Sequence, residues 1–286
     1  MKKLLAILAT LIVSVACAVS MTACDTSDTI YVDTNAYFAP FEYYGGDSGL
    51  EIVGVDVEIM NLVGKKLNKK VKFENTDFDV IIDNVAQGKK YDCGAAGITI
   101  TEARKEKVDF SNPYFTSVQY AIFPTSATVT SYKDGDVDYV LWEALAGKKI
   151  GYQADTTGDI YVNLEIDGED DYTGQLQGKG SSGHRYDNAQ LAVDAIGGEQ
   201  VDVVVVDKLP AQYIVSKNSG YKCFAIYYPA DAENPNDYPT EEQYAICVTK
   251  GKKELLNAIN EVLAELGESG INALVTKHLH LDDAAA

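Results

Sequence analysis

AAGITITEARKEKVDFSNPYF, residues 95–115, is the stretch that decides the fold. An apolar, strand-like run from Tyr91 to Ala96 meets a small-residue turn at Gly97, and Ile98-Thr99-Ile100-Thr101 follows. Thr101 stands three residues before Arg104 at the start of a charged, helix-prone segment, the position of an N-cap. A capped helix start places backbone N–H groups and a guanidinium beside a sharp turn, the chemistry that holds a carboxylate by a two-pronged hydrogen bond. The rest of the chain offers no catalytic motif of comparable strength.

Upstream, Ile30–Asp33 reads as a strand, followed by the loop Thr34–Glu42. Ile52–Val55 leads into a helix over Asp56–Leu67, with Val57, Met60, Val63 and Leu67 at helical spacing and Asp56 as its cap. Val71–Phe73 alternates like a strand, and Phe78–Gln87 is a helix ended by Gly88. This alternation implies a parallel sheet with helices on both faces, where ligands bind at the carboxyl ends of the strands. The Asn35–Phe41 loop and the Gly97–Arg104 turn both sit there and can converge on one crevice.

Downstream, Val118–Phe123 is a strand and Thr125–Asp138 a polar stretch that precedes a second cycle. A helix over Leu141–Ala146 and a strand over Lys149–Gln153 are followed by a helix opened by Thr156-Thr157-Gly158. Residues 165–186 read as an exposed insertion and Asn188–Ile196 as a helix. The continuous apolar run Val201–Val206 reads as a buried parallel strand with Asp207 at its end, and Leu209–Val215 as a helix. Tyr244–Val248 and the helices Lys252–Leu266 and Gly270–Leu279 need a sheet to pack against. The chain is therefore expected to cross back after about residue 225, giving one discontinuous domain over 24–123 and 225–286 and a second over 124–224.

The amino terminus has a positive start at Lys2-Lys3, an apolar run from Leu4 to Val19, and Met21-Thr22-Ala23-Cys24. This describes a secretory signal over residues 1–23 ending in a motif that resembles a lipobox, with Cys24 as the lipidated residue and Cys17 the weaker competitor. The expected location is extracytoplasmic, held to the outer face of the membrane by acyl chains. Removing that segment shifts the formal charge from −19 to −21, which excludes a nucleic-acid partner. Cys93, Cys223 and Cys247 make no disulfide framework; Cys223 and Cys247 could pair, though buried free thiols fit better. His184, His278 and His280 make a poor metal set, and His278-Leu279-His280 reads as a frayed, incidental end.

Taken together, Asn35…Ala39-Pro40-Phe41-Glu42, Val53–Glu58, Ala96–Thr101 with Arg104, and Val108–Tyr114 resemble the family 3 extracellular solute-binding proteins of ABC importers for polar amino acids. The resemblance extends through Gln243–Ile246 to the closing helix. It implies the type II periplasmic-binding-protein fold, two α/β domains joined by a two-strand hinge. Position by position it implies Arg104 on the ligand α-carboxylate, a bidentate task for which Arg is suited, with Thr99 completing that grip. It implies the Gly97 carbonyl and the Asp207 carboxylate on the α-ammonium, Thr156 donating to the carboxylate from the second domain, Phe38 and Phe78 as aromatic walls, and Asn35 reading the side-chain tip. Tyr37 beside Phe38 leaves that loop uncertain by one position. Residues Ala154-Asp155 stand where the family often has glycine and a small residue. Asn35 often corresponds to an acid in relatives for cationic side chains, so a neutral polar ligand is expected.

No cofactor, metal or catalytic residue is implied, and the partners are an amino acid, an ABC permease with its ATPase, and the membrane; a monomer is expected. Two rival readings are a dehydratase of prephenate or arogenate on the same fold, which needs a general acid in the cleft, and an amino-acid sensor domain. Gly178-Lys179-Gly180-Ser181-Ser182-Gly183 matches G-x-G-x-x-G but follows no strand, so it carries no nucleotide role.

Overall fold

The computed structural model describes residues 28–231 and 234–279; the signal segment, Cys24 and His280 lie outside the described residues. One sheet has five strands in the order Lys70–Asn75, Thr29–Thr34, Cys93–Gly94, Cys247–Val248, Asp109–Phe110. The first three run parallel, while Cys247–Val248 is antiparallel to both neighbours. The helix Val55–Leu67 buries Val55, Ile59, Met60 and Val63 at helical spacing and packs against the closing helix Lys253–Leu279, which breaks at Gly267.

A second sheet runs Ser182–Tyr186, Lys149–Gln153, Val203–Asp207, Phe115–Pro124, Tyr221–Tyr228, Val137–Leu141, Tyr132–Asp134. Val203–Asp207 is buried along its whole length because it is interior to the sheet, although it is parallel only to Lys149–Gln153 and antiparallel to Phe115–Pro124. The lobes are joined where Phe115–Val118 pairs antiparallel with Glu241–Tyr244, two strands that pass side by side between the sheets. The second crossing lies past residue 225: Tyr221–Tyr228 and Tyr238–Pro239 both belong to the second sheet, because Tyr221–Tyr228 supplies the neighbours that Phe115–Pro124 and Val137–Leu141 need.

Several expectations change. The polar stretch before Asp138 holds a hairpin, Tyr132–Asp134 with Val137–Leu141, turned at Gly135 with φ 56°. The helix expected at Leu141–Ala146 is only a 3-10 turn, Trp142–Leu145, pinned by the fully buried Trp142. Residues 165–186 are not an insertion. Glu165 is buried there and accepts from the hydroxyls of Tyr172 and Tyr228 and the N–H of Gln175, Leu176 is buried beside it, and Ser182–Tyr186 is the edge strand of the sheet. A core organised around a carboxylate leaves no apolar periodicity to detect. His278 is not frayed either: it is buried between the Tyr43 hydroxyl at 3.1 Å and Glu58 Oε1 at 2.7 Å. Cys93, Cys223 and Cys247 are free.

The helix Val55–Leu67 is not capped by Asp56. Its N-cap position is Gly54 at φ 139°, and its first N–H groups donate to the carbonyls of Pro40 and Phe41. Asp56 instead turns its carboxylate inward, accepting from the Gly97 N–H at 3.0 Å and the Tyr114 hydroxyl at 2.6 Å. A Cβ on Gly54 would lie 2.0 Å from the Phe41 carbonyl oxygen. Gly54→Ala is expected to lower the unfolding free energy by about 2 kcal/mol or more, read as a shift in urea midpoint at constant slope. Gly49→Ala, also at positive φ but with nothing within 4 Å, is the control and should lose about 1 kcal/mol or less.

Burial lifts the Asp56 carboxyl from 3.8 to about 6, against the opposing hydrogen bonds from Tyr114 and Gly97. The folded chain therefore holds a proton there that the unfolded chain has already lost. The resulting stability is full below about pH 4 and is lost as pH rises through about 6, a swing on the order of 3 kcal/mol. Asp56→Asn is expected to flatten the fall in unfolding free energy across that window by up to about one proton, measured by denaturant titration at a series of pH values.

Candidate functional site

The carboxyl ends of four strands meet in the cleft between the lobes, around a small cavity of about 10 Å³. Thr29–Thr34 delivers Asn35 and Phe38, Cys93–Gly94 delivers Ala96, Gly97 and Thr99, Lys149–Gln153 delivers Gln153, Thr156 and Thr157, and Val203–Asp207 ends on Asp207 itself. Glu42 and Phe78 complete the wall. Of the eight residues expected to touch a ligand, all but Arg104 lie on that wall.

Gly97 takes φ 53°, and a Cβ there would come 2.7 Å from the Phe38 ring, so glycine is what lets the turn and the aromatic wall share the space. Phe38, not the exposed Tyr37, faces the cavity. The Thr101 hydroxyl accepts from the Arg104 N–H at 3.2 Å, although the helix it caps is only Glu102–Lys105. Arg104 is buried, and desolvation pulls its pKa down. Its Nη1 donates to the Thr99 carbonyl and its Nη2 to the Asp155 carbonyl, both at 2.8 Å, and its guanidinium lies 5.5 Å from the Phe78 ring centre. One guanidinium thus joins both lobes. Asp155 gives up this carbonyl from a left-handed conformation, φ 57°, which explains why a glycine-like position suits it, and its carboxylate pairs with Arg185 at 2.6 Å.

Asn35 is engaged at both ends of its amide: Nδ2 donates to the Thr76 carbonyl at 2.7 Å and Oδ1 accepts from Gln153 Nε2 at 3.0 Å. Thr156 is also committed, donating to the Gln153 carbonyl and accepting from the Asp159 N–H as the cap of the helix Thr157–Asp167. Its neighbour Thr157 reaches the centre of the cleft instead. Asp207 occupies the N-cap position of the helix Lys208–Lys217 yet caps nothing with its side chain. Its Oδ1 accepts from the Tyr244 hydroxyl at 2.5 Å and from Gln119 Nε2 at 3.2 Å.

Sequence reasoning missed Glu42, Gln119, Gln153, Thr157 and Glu242 and misassigned Asp56. Glu242, on the hinge strand Glu241–Tyr244, accepts from Thr99 Oγ1 at 2.7 Å and from Thr157 Oγ1 and Gln119 Nε2. Glu42 is 0 % exposed, and among the described residues neither carboxylate oxygen has a hydrogen-bond partner. Burial, then the nearby Asp56 and Asp207, pushes its carboxyl well above the usual carboxylate range. Asp207 is pushed up for the same reason, by burial and then by Glu242. The available signal was a polar residue inside an otherwise apolar run, Gln119 within Val118–Phe123. The arrangement can hold a small zwitterion, with a guanidinium for an anion and several carboxyls for a cation.

A Neisseria gonorrhoeae protein described as a probable histidine-binding protein is 28 % identical over 239 residues, covering 84 % of this chain and 78 % of its own length. The arginine-binding extracellular protein ArtP of Bacillus subtilis is 24 % identical over 268 residues, covering 91 % and 92 %. Among solved structures, an ancestral arginine-binding protein bound to arginine superposes with a TM-score of 0.69 at 31 % identity, covering 87 % of this chain and 97 % of its own. The same ancestral type bound to glutamine gives 0.67 at 30 % identity, covering 87 % and 96 %. Residues 30–280 match the family model for the bacterial extracellular solute-binding proteins, family 3. The fold is that of the type II periplasmic binding proteins, and the dehydratase alternative gains no support from these relatives. With its hinged lobes and polar cleft, the chain belongs to the bacterial extracellular solute-binding proteins of family 3.

Proposed function

We propose that the protein captures a free amino acid between its two lobes and delivers it to the permease of an ABC importer, anchored to the outer face of the membrane through Cys24. The observation that carries the reading is that polar groups from both lobes converge on one cleft, with Arg104 bridging the lobes beside it. The α-carboxylate goes to Arg104 and the Thr99 backbone N–H, and the α-ammonium to Asp207 and the Gly97 carbonyl. Arg104 spends two of its roughly five N–H donors on carbonyls of opposite lobes, so closure and carboxylate capture draw on one side chain.

For the ligand side chain we favour a cation of the arginine class. A neutral ligand was expected because Asn35 offers no charge, but the Asn35 amide is spent on Thr76 and Gln153. Glu42 supplies the missing carboxylate, buried and without a partner, and an unpaired buried acid is relieved by a cation that hydrogen-bonds to it. Relatives described as arginine-binding point the same way. A neutral polar ligand remains the second reading, supported by the glutamine-bound relative.

Thermal unfolding in the presence of each of the twenty amino acids tests both. A ligand at about 100 times its dissociation constant adds roughly 2.7 kcal/mol of stability. Arginine or lysine is expected to give the largest rise in melting temperature, and glutamine or asparagine in the lead would establish the neutral reading instead. Glu42→Gln should weaken a cationic ligand about tenfold or more, the worth of a charge-assisted hydrogen bond, and change glutamine binding by less than about threefold. A flat response to all twenty would remove the amino-acid reading.

A further inference from the structure

Asp207 and Glu242 reach the cleft from different parts of the chain. Asp207 ends a central strand of the second lobe, and Glu242 sits on the returning hinge strand. They are 4 % and 5 % exposed. Gln119, on the other hinge strand, donates Nε2 to both, which brings the two carboxyl groups to one amide nitrogen. Two buried carboxyl groups held this close, with no cation between them, resist double ionisation, so the pair keeps a proton. The groups that face the pair are few. Arg104 is the buried cation, already bonded to two carbonyls; Lys105, paired with Glu102, and Glu241 share the outer pocket that Glu242 lines; Glu42 is a further acid, with Asp56 acting on it; Tyr244 and Tyr161 present hydroxyls. One guanidinium does not balance Asp207, Glu242 and Glu42 together, so a second positive charge is required before both members of the pair can ionise.

The donors around Glu242 say where that charge enters. Thr99 and Thr157 line the cavity and direct their hydroxyl hydrogens at Glu242. A hydroxyl has one hydrogen and two lone pairs, so with that hydrogen committed it shows the cavity an acceptor. This end of the cleft is therefore built from acceptors: the two threonine oxygens and the Asp207 carboxyl on the wall, with Glu242 directly behind the threonines.

We propose that Asp207 and Glu242 together form the receptor for the ligand's α-ammonium, holding one shared proton that the ammonium replaces on binding. The proposal rests on the amino-acid reading above and adds Glu242 to its site. The ammonium arrives with its three hydrogens and keeps them, donating to Asp207 and the two threonine oxygens in front of Glu242. The shared proton leaves to solvent, the pair passes from one negative charge to two, and the net charge of this end of the cleft is unchanged. Burying the ligand then swaps one positive charge for another, which keeps the desolvation cost low. Affinity should rise about tenfold per pH unit wherever the pair holds its proton in the free protein.

Calorimetric titration of the full chain, using the amino acid that gives the largest melting shift, counts the protons when repeated in buffers of different ionisation enthalpy at about pH 6. The expected count for the unaltered protein is one or more. Glu42→Gln, which removes the other unpaired cleft acid, should still release about one proton. Glu242→Gln should still bind, more weakly, and release about one proton fewer than the unaltered protein. Equal release by Glu242→Gln and the unaltered protein, or no release by Glu42→Gln, overturns the proposal while leaving amino-acid binding intact. If Glu242→Gln does not fold, the Glu42→Gln count and the pH slope of the dissociation constant decide alone. Absence of binding heat with every amino acid would sink the functional reading itself.

Discussion

The carboxylate of Asp56 is the tie on which the ligand side of the first lobe depends. It lies at the start of the helix Val55–Leu67, yet its hydrogen bonds go to the Gly97 turn and to Tyr114, just ahead of the hinge strand. Three segments far apart in sequence are thereby fixed to one another: the helix that backs the sheet, the turn that forms the cleft floor, and the residue that leads into the hinge. The tie demands glycine on both sides. Gly54 lets the helix start press onto the Phe41 carbonyl, and Gly97 lets the turn pass beneath Phe38. Burying a carboxylate for this task is unfavourable by itself, and two good donors offset it only in part, which is why the group titrates at about 6.

The same constraint is repeated through the cleft. Glu42, Asp56, Asp207 and Glu242 are all buried, and the guanidinium among them belongs to Arg104. Acids packed this closely cannot all be ionised without cations, so the cleft is poised for a ligand that carries positive charge. Arg104 is not free to act as their counter-ion, since two of its N–H groups hold carbonyls of opposite lobes. It joins the lobes instead, and under the proposed reading it would face the anionic end of an amino acid while the buried acids face its cationic end.

Much of this was legible in residues that punctuate the chain. Gly88 and Thr101 end and begin helices where their chemistry predicts, and the Val201–Val206 run could only be an interior strand. The sequence placed Asp207 at a strand end, where either a ligand contact or a helix cap was open and only the family resemblance favoured the ligand; in the structure its side chain does not cap the following helix. What stayed hidden was polar burial. Asp56 looked like a cap because capping is the commoner use of an acid at a helix start. Residues 165–186 looked like an exposed loop because their organising group is Glu165, a carboxylate held by two tyrosines. Glu42 and Glu242 lie in short strands whose few residues show no clear alternation, so no pattern marks which side chain turns inward. Local rules assign charged residues to the surface, and only the tertiary arrangement reveals the exceptions.

Those exceptions are concentrated at the crossing between the lobes, and that placement has a mechanical consequence. Gln119 stands on one hinge strand and Glu242 on the other, so the two connections are bonded to each other through side chains as well as through backbone pairing. Glu242 also holds Thr99 of the first lobe and Thr157 of the second, and Gln119 holds Asp207. Any opening about the hinge must therefore separate hydroxyls from a buried carboxylate, leaving polar groups to be satisfied by water. Closure restores those bonds in the same volume that a ligand's charged groups would occupy. The hinge and the binding site are consequently one hydrogen-bonded unit, and a change of charge at the Asp207–Glu242 pair acts on the position of the lobes as directly as on the affinity of the cleft.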